Sequence, residues 1–146
     1  MGLSMRLNKR VYLPYKPSED FLEKTKETWD LIGVDPTTVD YVSTKFAEWS
    51  NAYSIFEWFL ELSEYGWSGS VYVSYERIYL LKECVEEALE NPEKKDNCIT
   101  MSTDYGKNKK YFIEDLERTL EIANRAIDEI EREDSPTIEF EFEGGW

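Results

Sequence analysis

The sequence predicts an α+β fold in a single domain, residues 1–146. About four helices pack around a long central aromatic helix, and a small antiparallel sheet pairs the N- and C-terminal strands. Three observations predict it. The length, 146 residues, is that of one ordinary domain, with no repeat, low-complexity tract or composition break to divide it. Both ends of the chain alternate apolar and charged residues with the period of a strand. The stretch between them carries apolar residues at steps of three and four, the period of a helix.

At the start, "MRLNKRVYL" places Met5, Leu7, Val11 and Leu13 on one side and Arg6, Asn8, Arg10 and Tyr12 on the other, with Lys9 out of pattern. Pro14 and Pro17 end this strand. At the other end, "TIEFEFEGGW" sets Ile138, Phe140 and Phe142 against Glu139, Glu141 and Glu143. A basic strand and an acidic strand invite antiparallel pairing, with Arg6 and Arg10 opposite the glutamates.

Four helical patterns lie between. "SEDFLEKTKETWDLIG" opens on Ser18 as N-cap and stops at Gly33. The next begins with Asp35 as cap and Pro36 at the first helical position. Its stripe runs Val39, Val42, Phe46, Trp49, Tyr53, Phe56 and Leu60, and Ile55, Trp58, Phe59 and Leu62 add a second apolar face. A helix apolar on most sides is central, so these rings read as core, with Tyr53 and Trp58 the ones to reach a surface. After a short extended piece at Val71–Val73, Ser74 caps a helix whose apolar face is Ile78, Leu81, Val85 and Leu89. "YFIEDLERTLEIANRAIDEIERE" closes the set. Residues 91–110 form a long linker, locally basic near 107–110.

Composition excludes more chemistry than it suggests. There is no histidine, which removes the usual general base, the Ser-His and Cys-His nucleophile pairs and most zinc sites. Two cysteines, Cys84 and Cys98, are too few for a disulfide scaffold. No calcium loop or phosphate-cradling loop appears, and no cofactor or metal is expected. No apolar run is long enough to span a membrane and no secretory signal opens the chain, so a cytoplasmic protein is expected. The net charge is −14; the first 16 residues are basic, which leaves −18 for the rest. Such a field repels nucleic acid and anionic lipid and favours a basic partner.

Two sets of candidate residues follow. Glu83, Glu86, Glu87 and Glu90, with Glu114, Glu117 and Glu121, recur at helical spacing and form acidic rows. Their simplest role is a solvated face; the sharper one is imitation of a run of phosphates, which would occupy a DNA-binding protein. Trp67, Tyr105, Trp146, Trp58 and Tyr53, with Asp104, could stack a nucleobase or another flat ring. For Trp146 the competing role is a hydrophobic plug on the helices.

Four stretches in order resemble a family of small, largely uncharacterised proteins of tailed bacteriophages and prophages. They are "NKRVYL", "EWSNAYSIFEWF" with Trp49, Ala52, Trp58 and Phe59, "YVSYERIYLLKECVEEAL", and "MSTDYGKNKKYFIEDLERTLEIANRAI" followed by the aromatic strand "FEFEGGW". The chain departs from that pattern at Tyr53 and Phe56, where the family often carries Asn and His. The resemblance implies a mixed α+β accessory protein made during infection, in the host cytoplasm. On that basis a non-enzyme is expected that binds a host protein, as a counter-defence inhibitor or DNA mimic, without contacting nucleic acid or membrane itself; self-association is left open. The alternative is a protein that sequesters a nucleotide or similar small ligand.

Overall fold

A computed structural model describes residues 2–63, 66–132 and 137–146. Within them the order is β1 (Ser4–Tyr12), α1 (Glu19–Ile32), β2 (Tyr41–Ser50), α2 (Tyr53–Leu60), β3 (Ser70–Val73), α3 (Tyr75–Glu90), α4 (Lys109–Glu131) and β4 (Ile138–Gly145). The fold is α+β. The strands form one antiparallel sheet in the order β2-β1-β4-β3.

The two ends of the chain pair at the centre of the sheet, as their charge pattern requires. Arg6 lies opposite Glu143 and bridges it at 2.7 Å. Arg10 lies opposite Glu139 but reaches diagonally to Glu141, also at 2.7 Å, and Tyr12 donates its hydroxyl to Glu139. The Arg6 guanidinium holds the Glu143 carboxyl below its usual range. Exposed pairs of this kind contribute on the order of 0.2–1 kcal/mol each, so their main effect is to set register. Lys9, the residue out of pattern, falls by parity on the apolar side. It sits 5.9 Å from the centre of the Phe46 ring and bridges Glu129 of α4 at 3.4 Å.

The long central helix is not formed. Its first half is strand β2, and only Tyr53–Leu60 is helical; residues 64–65 at its far end lie outside the described residues. The Asp35 cap is real, accepting from the Thr37 amide at 3.0 Å, but it opens a single 3₁₀ turn, Pro36–Thr38. Tyr41, Val42, Thr44 and Phe46 are strand formers, and β1 offers them a partner. A bulge in the β1–β2 pairing at Leu7/Asn8 makes Phe46 the extra residue. That brings Phe46 to the core side beside Ala47 and Trp49. Phe46 and Trp49, three apart, therefore share a face inside a strand. Asn51, at φ 55°, ends β2; asparagine tolerates this left-handed conformation. Its side-chain oxygen accepts from the Leu3 amide at 2.8 Å, which ties the turn to β1.

Helices α2, α3 and α4 cover one face of the sheet. Leu3, Met5, Leu7, Val73, Phe140 and Phe142 from the strands pack with Ile55, Phe59, Ile78, Leu81, Phe112 and Leu116 from the helices. Phe142 is the hub: its ring stacks on Phe59 at 3.9 Å between centres and lies near Trp49, Phe56 and Trp67. The rings expected to be inside are inside, with Trp49 and Phe56 buried and Phe46 half-buried. Helix α1 has the expected Ser18 and Gly33 caps, but none of its side chains joins this core. It belongs to the excursion between β1 and β2, and Trp29 packs within that excursion beside Leu22 and Pro36. No described helix is long and apolar enough to cross a membrane.

Candidate functional site

The "STDY" stretch, residues 102–105, forms a capped turn beside α2. Ser102 caps the 3₁₀ turn Thr103–Tyr105, accepting from the Asp104 amide at 3.3 Å. The same hydroxyl donates to Glu57 of α2, and the Ser102 amide donates to Ser54. Ser54 in turn donates to the Thr100 carbonyl at 2.7 Å. The long linker is thus fastened to α2 rather than free.

Tyr105 projects from this turn and is buried. Its hydroxyl donates to Asp115 of α4 at 2.6 Å. Burial, with the Asp115 charge added, pushes the Tyr105 hydroxyl well above its ordinary range. Burial also raises the Asp115 carboxyl; the Tyr105 bond opposes that rise and the Glu114 charge adds to it. One turn on, Thr119 accepts from the buried Trp49 indole at 3.0 Å, so α4 is pinned to β2 as well.

A hollow of 460 Å³ opens beside this pair. It is lined by the end of β2, the start of α2, the Thr103–Tyr105 turn and the first turns of α4. Tyr53, Tyr105 and Tyr111 supply its rings, and Asp104, Glu114 and Asp115 supply its charges. Tyr53 meets Tyr105 edge to face at 5.2 Å, and on another side it stacks with Trp146 at 5.8 Å. A second, shallower hollow of 650 Å³ lies past Trp146, between Arg6, Glu48, Ser68 and the Gly144–Gly145 backbone.

The structure therefore brings together four of the six ring-site candidates: Tyr53, Asp104, Tyr105 and Trp146. Trp67 is elsewhere, half-buried against Phe56 and Phe142. Trp58, expected at the surface, is 7% exposed and packs on Phe59, so it cannot stack a ligand. Helix α2 is covered on that side too, where Trp58 lies beside Cys84 of α3. Trp146 is 67% exposed despite its stack on Tyr53, so it covers that ring without being buried as a plug. Tyr111 and Asp115 were not singled out from the sequence, since each reads as an ordinary member of a helix.

The acidic candidates lie on α3 and α4, which run antiparallel; the Tyr79 hydroxyl near the start of α3 donates to Glu131 at the end of α4. Glu83, Glu86, Glu90, Glu114, Glu117 and Glu121 are exposed and Glu87 is half-buried. Among the described residues, their one ion pair is Lys110–Glu114 at 3.7 Å. The arginines of α4 are turned aside: Arg118 donates to the Glu48 carbonyl at 2.7 and 3.0 Å, and Arg125 to the Phe46 carbonyl at 3.1 Å. Both cap the outer edge of β2. Among the described residues, no group of acids and cysteines is arranged to hold a metal.

Comparison with known proteins gives no match: no family model, no curated protein and no solved structure is similar to this chain.

Proposed function

We propose that the chain is a non-enzymatic binding protein that engages a basic surface on a protein partner through the outer face of α3 and α4. The observation that carries this reading is the placing of Arg118 and Arg125. They are the α4 cations best situated to neutralise its glutamates, and both are committed to carbonyls of β2. The rows at Glu83, Glu86 and Glu90 and at Glu117 and Glu121 are left facing water without ion pairs among the described residues. Such a face raises the rate of encounter with a basic partner and repels nucleic acid. With the resemblance to bacteriophage accessory proteins, this supports a host protein as partner, and a DNA-binding host protein as the particular version in which the face stands in for phosphates.

Affinity capture from bacterial lysate, with a variant carrying Lys at Glu83, Glu86, Glu117 and Glu121, tests it. One dominant basic partner should be captured by the wild type, be released as salt is raised past about 0.5 M, and be missing with the variant. Equal capture by both proteins would refute the reading. The alternative, nucleotide sequestration, has less support: the ring-lined hollow holds three carboxylates and no Lys or Arg in its lining, which disfavours phosphate.

A further inference from the structure

We propose that the hollow beside the Tyr105–Asp115 pair is a binding site for a compact organic cation, a guanidinium or alkylammonium group. Three tyrosine rings and three carboxylates line it, and no lysine or arginine does. The exposed Tyr111 ring attracts a cation through its quadrupole, and the carboxylates attract it through charge and hydrogen bonds; Tyr53 and Tyr105, whose rings are taken up in packing, form the wall. At 460 Å³ it has the size of a small-ligand site rather than of a single ion, and its acids are not gathered as a metal would require.

The start of α4 presents the positive end of a helix dipole, equivalent to roughly half a charge. The exposed carboxylates of Asp104 and Glu114, with Asp115 behind them, outweigh it. Lys109 is drawn away to Glu93 at 2.7 Å. Lys110 touches Glu114 at 3.7 Å with its side chain 83% exposed, a loose contact that an entering cation displaces at little cost. The walls are built rather than incidental. Tyr105 is held by Asp115, the turn that carries Asp104 is held by Ser102, and Tyr53 is wedged between Tyr105 and Trp146. Tyr111, 55% exposed, stands at the mouth. The Asp104 carboxylate receives only a long contact from the Ser102 hydroxyl, at 3.5 Å, and the Tyr111 ring is exposed, so both can be changed with little effect on the fold.

The same chemistry is offered by a free small amine or guanidine and by an arginine or lysine side chain of a protein. Titration of the full chain with N-acetyl-arginine amide, N-acetyl-lysine amide, the neutral N-acetyl-citrulline amide and ATP, followed by amide chemical shifts, tests the proposal. The cationic amides should saturate residues 50–54 and 104–115, with citrulline at least about tenfold weaker and ATP not competing. Asp104→Asn and Tyr111→Ala should each weaken the arginine amide by about tenfold or more with unchanged circular dichroism. A single-arginine peptide binding about tenfold tighter than the amide would identify a protein side chain as the source, and equal affinity a free small cation. Equal binding of citrulline and arginine, preference for ATP, or no saturation by about 50 mM arginine amide would overturn it. Glu83→Lys with Glu86→Lys should leave this titration unchanged, so it stands or falls apart from the helix-face reading.

Discussion

Truncating Phe142 tests the claim that the core is organised around β4. The ring is fully buried, stacks on Phe59 at 3.9 Å and lies within 6.3 Å of the rings of Trp49, Phe56 and Trp67. Buried Phe→Ala substitutions cost about 3–5 kcal/mol, the larger values arising where the cavity cannot collapse. Aromatic pairs add about 0.5–1.5 kcal/mol beyond buried area, and Phe142 is common to four of them. Phe142→Ala therefore belongs near about 5 kcal/mol, comparable with the whole stability of many domains. Phe142→Leu keeps much of the volume and should lose about 1.5 kcal/mol, lowering Tm by roughly 3–6 °C. Urea and thermal unfolding followed by tryptophan fluorescence measure both. Tyr72→Ala, on the exposed side of β3, is the control and should stay within about 0.5 kcal/mol. If Phe142→Ala cost no more than Tyr72→Ala, the placement of β4 at the centre of the core would be wrong.

Asp115 gives a dependence on pH with a definite sign. Burial raises its folded-state value above the ordinary 3.8, so the folded protein keeps a proton that the unfolded chain has lost. Stability from this group is greatest below 3.8 and declines as pH rises through the folded value. Asp115→Asn removes that slope, so urea midpoints taken from pH 4 to about 8 should shift in favour of the wild type on acidification; a constant difference would contradict the burial argument. Cys84 is buried, and desolvation with the neighbouring Cys98 thiol pushes it up to about 12, whereas Cys98 is exposed. Ellman's reagent at about pH 8 should titrate one thiol in the native protein and a second only in denaturant; two fast thiols would show that Cys84 is accessible. A Cβ on Gly144 would meet the Phe56 ring at 3.0 Å, while one on Gly145 meets nothing within 4 Å. Gly144→Ala should cost about 1–2 kcal/mol and Gly145→Ala less than about 0.5 kcal/mol in the same unfolding assay.

What could be read from the sequence depended on whether the pattern was local. The terminal strands were legible because each alternates cleanly and their charges are complementary, so Arg6 and Glu143 could be matched across 137 residues. The helix caps at Ser18 and Ser74 were legible because capping acts over three residues. Strand β2 was not, for a reason that can be named. The bulge shifts its phase, so Phe46, Ala47 and Trp49 share one face, and Tyr53 and Phe56 continue the same spacing from a true helix. A seam between two elements thus imitated one helical stripe. The β-branched Val42 and Thr44 and the turn residue Asn51 were the signals that a strand ended there. Of the site, Asp104 and Tyr105 were among the candidates for holding a flat ring. Tyr111 and Asp115 did not, because only the docking of α4 onto α2 makes them neighbours.

The way α4 meets β2 has a consequence for how this surface can change over time. An outer strand with open carbonyls is a template for stacking copies into fibres, and charged guards are a common remedy. Here the guards, Arg118 and Arg125, are also the cations withheld from the glutamate rows. Protection from polymerisation and the intensity of the anionic field are therefore set by the same two side chains. Drift that softened the field by freeing either arginine would at once unmask the rim of the sheet, so the two properties are constrained to vary together.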